Sequence, residues 1–132
     1  DMKEAHNDLV MVLRKKGDNK AALKVCEHAL KKHKNDDTLH RNKGNILYAL
    51  DEPEKALEAF EAALDLNPHV VDTWVNKGTV LWKEMEQRDE ALAAFDKALE
   101  INPNFMAAVD SRISLEAEIK ANRPGFFKRI FG

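Results

Sequence analysis

The side chains best suited to metal or covalent chemistry are a cysteine and two histidines in the first third of the chain. Thiolates and imidazoles are preferred zinc ligands, and a thiolate can also act as a nucleophile. Cys26, His28 and His33 are separated by two and then five residues, which places them on different faces of a helix. The five histidines form no other ligand spacing, and the five glycines form no phosphate-binding loop. We therefore expect no metal, no cofactor and no catalytic site, and we interpret the chain as a non-enzyme.

Cys26 is the only cysteine, so it cannot form a disulfide within the chain. We expect it to be a reduced, buried thiol that packs in the core of a cytoplasmic protein. No stretch approaches the roughly 20 apolar residues that a membrane span needs, and no leader resembles a signal peptide. We therefore do not expect membrane attachment through a span.

The charges are unevenly distributed along the chain. Residues 1–36 carry nine Lys/Arg against six Asp/Glu, residues 37–105 seven against fourteen, and residues 106–132 five against three. The three segments therefore have net charges of +3, −7 and +2, which sum to the −2 of the whole chain. An acidic middle lacks the basic stripe that follows a nucleic-acid backbone, so we expect no nucleic-acid partner.

An internal repeat organises most of the sequence. "EKALEAFEAALDLNP" (54–68) and "DEALAAFDKALEINP" (89–103) are nearly the same, and "HRNKGNIL" (40–47) and "WVNKGTVL" (74–81) precede them. Gly44 recurs as Gly78, which gives the period of the repeat. Ala56 recurs as Ala91, one position later than this period predicts, so the turn near 86–87 contains one extra residue. A fainter copy covers residues 19–35. A period of about 34 residues predicts a stacked array of helix pairs.

Each unit contains two stretches of 13–16 residues in which apolar side chains return every three to four positions, as in amphipathic helices. Gly44 and Gly78 leave room for a close approach of the paired helices, and Phe60 and Phe95 are predicted to fill the space between units. The second helix of each unit should end before Pro68 or Pro103, since the residue before a proline avoids helical geometry.

This pattern resembles the tetratricopeptide repeat. The residues that carry the resemblance are Gly44, Leu47, Ala56, Phe60, Ala63 and Pro68 in one unit and Trp74, Gly78, Leu81, Ala91, Phe95, Ala98 and Pro103 in the next. The first unit is weaker, because Val10 replaces the small residue, His6 the aromatic residue and Lys34 the proline. The "NKG" spelling is similar to arrays of prokaryotic and archaeal type.

The resemblance implies an all-α fold, a right-handed solenoid of three helix pairs and a capping helix. The domain would cover residues 1–122, with units at 3–36, 37–70 and 71–105, the cap helix at 106–122 and an apolar, basic tail at 123–132. We expect Met106, Val109, Ile113 and Leu115 to cover the exposed end of the third unit.

In this family the first helices of the units line a concave groove that receives an extended peptide or a helix. Carried over by position, the groove residues would be Asn7, Met11, Arg41, Asn42, Asn45, Tyr48, Val75, Asn76, Thr79, Trp82 and Ser111. The two aromatic residues of this set could be anchors for a ligand. They could equally pack against the next unit.

Some family members grip the C-terminal carboxylate of cytosolic chaperones with Lys or Arg and Asn side chains. Arg41, Asn45 and Asn76 resemble the first part of that clamp. The helix that should complete it offers Ala107 and Ser111 in place of two cations. The function implied is therefore a scaffold that binds an unidentified protein or peptide.

The last ten residues, "RPGFFKRIFG", combine four large apolar side chains with basic residues. Three interpretations remain open: the tail folds back on the cap helix, it enters the groove of another copy or of a partner, or it lies on a membrane surface. The second of these gives an alternative function, in which the tail or the array ends dock on another copy to form a homo-oligomer.

Overall fold

The computed structural model describes residues 2–123, with side chains from residue 4 onwards. Interpretations of the tail concern residues beyond 123 and lie outside this part of the chain. The described residues form helices only. These are α1 (Met2–Lys15), α2 (Asn19–Lys32), α3 (Asp37–Ala49), α4 (Pro53–Leu66), α5 (Val71–Lys83), α6 (Arg88–Ile101) and α7 (Met106–Ala121). The predicted all-α array of helix pairs with a final helix is confirmed.

The helices pack as consecutive antiparallel pairs, α1 with α2, α3 with α4 and α5 with α6, and α7 packs on α6. The backbones of neighbouring first helices (α1, α3, α5, α7) also approach one another closely, whereas those of the second helices (α2, α4, α6) lie further apart. The layer in which neighbours lie closer is the inside of a curved stack. The first helices therefore form the concave layer, called here the inner layer, and the second helices form the convex one.

Close approach within each pair depends on glycine. A Cβ atom added to Gly44 would lie 2.5 Å from Cε1 of Phe60, and one added to Gly78 would lie 2.6 Å from Cε1 of Phe95. Both phenylalanines are fully buried. Each ring is thus seated directly on the backbone of the paired helix, a contact that the sequence analysis did not assign to it. The two rings also share clusters with Val80 and Leu115 of the following unit and helix, as predicted for side chains between units. In the weaker first unit Val10 and Cys26 occupy the equivalent positions, and both are buried.

The turns inside the pairs repeat one backbone feature. Gly17, Asp51 and Glu86 have φ angles of 81°, 60° and 54°, in the left-handed region. They lie at equivalent places between α1 and α2, α3 and α4, and α5 and α6. The last connection has four residues and the others three, so the extra residue predicted near Glu86 is found there.

In the units at 37–70 and 71–105, a ring nitrogen on the first helix forms a hydrogen bond with the connection that precedes the unit. Trp74 Nε1 donates a hydrogen bond to the carbonyl of Pro68 at 2.8 Å, and His40 Nε2 lies 2.8 Å from the carbonyl of Lys34. Both contacts span six residues, and His40 and Trp74 occupy equivalent positions of successive units. His40 therefore substitutes for the aromatic residue of the repeat as a packing and hydrogen-bonding side chain.

The final helix presents a different face to the array from the one that the sequence suggested. Ala108 and Leu115 are fully buried, whereas Met106 and Ile113 are 61% and 60% exposed. The prediction that Leu115 covers the third unit is confirmed, and the prediction for Met106 and Ile113 is wrong. The reason is register, because Ala108 and Leu115 occupy the positions that Thr73 and Val80 hold in α5, and those two residues are buried as well.

No helix in residues 2–123 combines the length and the apolar character needed to cross a bilayer.

Candidate functional site

The inner layer carries the residues expected to line the groove. Met11 is exposed at 42%, Asn42 is buried at 7%, and the other predicted residues are half-buried on α1, α3, α5 and α7. Each helix contributes neighbouring side chains because residues three or four apart lie on one helix face. The predicted residues therefore lie on the successive first helices. Hydrogen bonds between them join α1 to α3 and α3 to α5.

Two asparagine pairs bridge the first helices. Asn42 Nδ2 donates to Asn7 Oδ1 at 3.2 Å, and Asn76 Nδ2 donates to Asn45 Oδ1 at 3.0 Å. An amide side chain has two donor hydrogens and two acceptor lone pairs. After the second pair has formed, both amide hydrogens of Asn45 and the carbonyl oxygen of Asn76 remain for another partner. That combination matches the carbonyl and N–H groups of a peptide backbone.

Tyr48 and Trp82 both contact a carboxylate of the next unit. Trp82 Nε1 donates to Glu118 Oε2 at 2.6 Å, and the Glu84 carboxylate lies near enough to the Tyr48 hydroxyl to raise its pKa. The two aromatic residues stand at the same distance along the chain from their carboxylate partners. Glu118 also accepts from Arg88 Nε at 3.0 Å. These bonds favour the packing role over the role of a free anchor for both aromatic residues.

Trp82 is further fixed by its own surroundings. Its ring meets the buried Phe95 edge-on at 6.3 Å between centroids, and Lys83 Nζ lies 3.6 Å from the Trp82 ring centroid. Both contacts are favourable, the first through the ring quadrupoles and the second as a cation–π interaction. Trp82 is therefore held by contacts with Glu118, Phe95 and Lys83 and remains half-buried.

Tyr48 gives a direct readout of this contact, because it is the only tyrosine in the chain. Burial raises the pKa of Tyr48, and the charge and hydrogen bond of Glu84 raise it further. We expect ultraviolet titration to show Tyr48 ionising above the ordinary tyrosine pKa of about 10, with Glu84→Gln lowering its pKa but leaving it raised by burial. Because the pKa of Tyr48 is higher in the folded state than in the unfolded state, the protonated phenol contributes to the free energy of unfolding at pH values below its unfolded pKa. This contribution is lost as the pH rises through the folded pKa.

Glu61→Gln is the control for this titration, because Glu61 is an acidic residue that contacts Lys77 and not Tyr48. A Tyr48 titration at the ordinary tyrosine pKa, or one that Glu84→Gln leaves unchanged, would contradict the contact.

Basic side chains collect at the N-terminal end of the inner layer. Within residues 4–123, Arg14, Lys15 and Arg41 make no ion pair. Arg14 and Lys15 line a cleft of about 340 Å³ together with Met11, Asn19 and Ala49. The part contributed by Lys15 and Asn19 was not predicted from the sequence. It arises because the end of α1 and the start of α2 meet beside α3.

The other end of the inner layer is acidic. Asp72 and Asp110 are exposed, and Glu84 and Glu118 lie at the ends of α5 and α7. Sequence reasoning missed the roles of both glutamates, which depend on contacts between different units. The layer therefore carries Arg14, Lys15 and Arg41 towards α1 and the exposed Asp72 and Asp110 towards α7, where Arg88 pairs with Glu118 and Lys83 lies over Trp82.

The remaining polar residues of the predicted set are Thr79 and Ser111. Thr79 Oγ1 donates to the carbonyl of Val75 at 2.9 Å, within its own helix. Ser111 is half-buried on α7, whereas its neighbour Arg112 binds Asp96 and Glu116. α7 thus brings no cation to the place where the chaperone-type clamp would need one.

The residues with potential chemistry have different surroundings. The Cys26 thiol is buried and donates to the carbonyl of Leu39 at 3.1 Å, and burial raises its pKa to about 11. His28 is exposed, with its ring 6.1 Å from that of His6. Among the described residues no group of three acidic, histidine or cysteine side chains could hold a metal ion. Because the raised pKa keeps the Cys26 thiol protonated, this group is a poor nucleophile.

Comparison with known families gives two matches. Family models described as tetratricopeptide repeat match residues 38–70 and residues 71–105, which together are more than half of the chain. No curated protein sequence matches the chain at a significant level.

Solved structures with the same architecture include the first TPR domain of Spaghetti (RPAP3), bound to the HSP90 peptide SRMEEVD. It has a TM-score of 0.84 and 15% identity, over 89% of this chain and 92% of that one. The Sgt2 TPR domain from Aspergillus fumigatus has a TM-score of 0.85 and 20% identity, over 94% and 83%. YrrB, described as a TPR protein with an unusual peptide-binding site, has a TM-score of 0.77 and 28% identity, over 83% and 56%. The first two likenesses concern the fold alone.

Proposed function

Because the chain belongs to the tetratricopeptide repeat family, we propose that it is a non-catalytic scaffold that binds a peptide or protein segment along its inner layer. The family models and the peptide-bound relative support a role in protein interaction. The lone cysteine, protonated and buried, is compatible with a cytoplasmic setting. The partner is an extended segment of another protein.

The Asn45–Asn76 pair carries this proposal. The bond between them fixes two amide groups across neighbouring first helices, 3.0 Å apart. Their remaining donors and acceptor can bind the backbone of an extended segment without reading its sequence. Pre-organised groups bind better, because the cost of ordering them has been met in folding. Arg41, half-buried and without an ion pair in the described part of the chain, lies one helical turn before Asn45.

The charge gradient favours one direction for the ligand. Arg14, Lys15 and Arg41 would attract an acidic part of the segment to the α1–α3 end. Asp72 and Asp110 would favour basic residues towards α7. A chaperone-type acidic C-terminus fits less well, because α7 supplies Ala107 and Ser111 where that clamp has cations. The SRMEEVD ligand of Spaghetti is therefore a comparison peptide and not the ligand proposed for this chain.

A peptide array probed with the 132-residue chain tests the proposal. We expect Asn45→Ala combined with Asn76→Ala to weaken binding of the selected peptides about tenfold, since two net hydrogen bonds of about 0.5–1.5 kcal/mol each are lost. Isothermal titration with the best peptide measures the change.

Asn35→Ala combined with Asn104→Ala is the matched control, because both amides are exposed and lie in connections between units. The control should bind like the original chain. Equal affinity of the inner-layer variant and the control would contradict binding at the inner layer and direct attention to the convex side.

Self-assembly is a second candidate, favoured by apolar side chains at the α1 end of the array. Leu9 and Val12 on α1 are 46% and 47% exposed. Val12 occupies the position that Ile46 holds in α3, where the side chain faces the preceding unit and is fully buried. If another copy docks on such a face, the average molecular mass measured in solution by light scattering should rise with protein concentration.

A further inference from the structure

One face of α7 has no partner in the described part of the chain. Met106 and Ile113 are 61% and 60% exposed, and Val109 lies between them and is half-buried. Their spacing of three and four residues makes them one stripe, called here the end face. The end face is opposite to the face that Ala108 and Leu115 bury against the preceding unit.

Register shows what this face does in the other units. Ile113 occupies in α7 the position that Gly44 holds in α3 and Gly78 in α5. It lies one residue further along the chain than a strict repeat would place it, because the connection before α6 is one residue longer. In α3 and α5 these glycines meet a phenylalanine from the second helix of the pair. The end face of α7 is therefore the surface on which a second helix packs elsewhere in the array. Only an apolar segment would cover it without leaving buried polar groups unpaired.

The chain itself supplies such a segment at the expected distance. Three residues connect α1 to α2 and α3 to α4, and four connect α5 to α6. A segment that followed Ala121 in the same way would begin at residue 125 or 126, where "FFKRIF" starts. Four of these six side chains are large and apolar, and they match the chemistry of the end face.

Residues 124–132 are also long enough to reach the centre of the end face. Ile113 lies eight residues before Ala121, which is about 12 Å along a helix axis. Nine residues span about 13 Å as a helix and about 30 Å when extended. Ile113 is thus within reach in either case, whereas Met106, about 22 Å from Ala121, is reached only by an extended chain.

The charges beside the end face leave the apolar match to decide the occupant. A cleft of about 450 Å³ between α6 and α7 is lined by Asp96, Leu99, Glu100 and Arg112. Its carboxylates are already paired, Asp96 with Arg112 and Glu100 with Lys97. The apolar side chains of the tail and its reach therefore select it as the occupant of the end face.

We propose that residues 124–132 bind the end face of their own molecule and close the array in place of a fourth second helix. The contact is apolar, centred on Ile113 and the phenylalanines of the tail. It covers an array end that would otherwise offer a docking surface to another copy. This inference concerns α7 and the tail and does not depend on peptide binding at the inner layer.

Cysteine pairing in the 132-residue chain tests the proposal. One variant combines Ile113→Cys with Phe127→Cys, and the matched control combines Ser114→Cys with Phe127→Cys. Ser114 is exposed and adjacent in sequence but lies towards the inner layer. Under mild oxidation we expect the first pair to form an intramolecular disulfide about tenfold faster than the control, because docking raises the effective concentration of the two thiols. Cys26 does not compete, since burial raises its pKa to about 11.

A second measurement uses no added cysteine. Phe127→Ser combined with Phe131→Ser should speed amide hydrogen exchange in α7 several-fold and leave α3 unchanged, whereas the Phe→Leu versions of both residues should preserve the protection. Disulfides formed between molecules would overturn the proposal in favour of a second copy as occupant. Equal rates for the two cysteine pairs, or unchanged exchange of α7 in the serine variant, would show that the tail does not bind the end face.

Discussion

Replacing Phe95 by alanine is expected to lower the free energy of unfolding by about 3–5 kcal/mol, the usual cost of deleting a buried aromatic side chain. Phe95 is fully buried in a cluster with Leu81, Ala91 and Leu115, so it joins the third unit to α7. Its ring also supports Trp82 through an edge contact at 6.3 Å. Urea unfolding followed by circular dichroism measures the loss, and tryptophan fluorescence should change even where the fold is retained.

The matched control is Ile101→Ala on the same helix. Ile101 is 36% exposed at the end of α6 and belongs to none of the core clusters around Phe60 and Phe95, so its truncation should cost clearly less than that of the fully buried Phe95. Phe95→Leu should lie between the two, because it retains part of the buried volume. If Phe95→Ala were no more destabilising than Ile101→Ala, Phe95 would not be the centre of this core cluster.

Overpacking the same contact from the opposite side gives the second large effect. Gly78→Leu is expected to cost about 1–3 kcal/mol, because even its first side-chain atom would lie 2.6 Å from Cε1 of Phe95. Real Cβ atoms do not show so short a contact, and the fully buried phenylalanine ring is surrounded by other side chains, so its displacement costs free energy. Thermal unfolding should show a melting temperature lower by about 4–12 °C, at about 4 °C per kcal/mol.

The double variant Gly78→Leu/Phe95→Ala separates a steric clash from a general effect on the helix. With the ring removed, leucine can occupy the vacated space, so the two changes together should cost less than the sum of the single costs. Strict additivity would contradict direct contact between the two positions. Gly44→Leu with Phe60 provides an independent repetition, since a Cβ atom on Gly44 would lie 2.5 Å from that ring.

The repeat allowed most of the architecture to be predicted from the sequence. The recurrence of glycine, phenylalanine and Asn-Pro at a fixed period predicted helix pairs, and the structure places Phe60 on Gly44 and Phe95 on Gly78. The helix ends are also as predicted, with α4 and α6 ending one residue before Asn67 and Asn102. These features are local or repeat at a known spacing, so one unit predicts the next.

The inner-layer residues were predicted by position and remain a proposal for binding. Positional reasoning placed Asn45 and Asn76 on neighbouring helices, and the structure adds that they are hydrogen-bonded to each other. It could not decide whether Tyr48 and Trp82 were free or packed. Their partners, Glu84 and Glu118, follow at the same separation along the chain, but only the packing of the helices shows that these side chains meet.

The sequence by itself determined that helices of this length would pair and stack, because its apolar period and its small and large residues alternate in a fixed order. Only the tertiary structure decided which face of α7 is covered. The sequence of α7 does not distinguish the two faces, since Ala108 and Leu115 on one and Met106 and Ile113 on the other are all apolar. The selection follows from register against the preceding unit. It therefore appears only when the helices are packed.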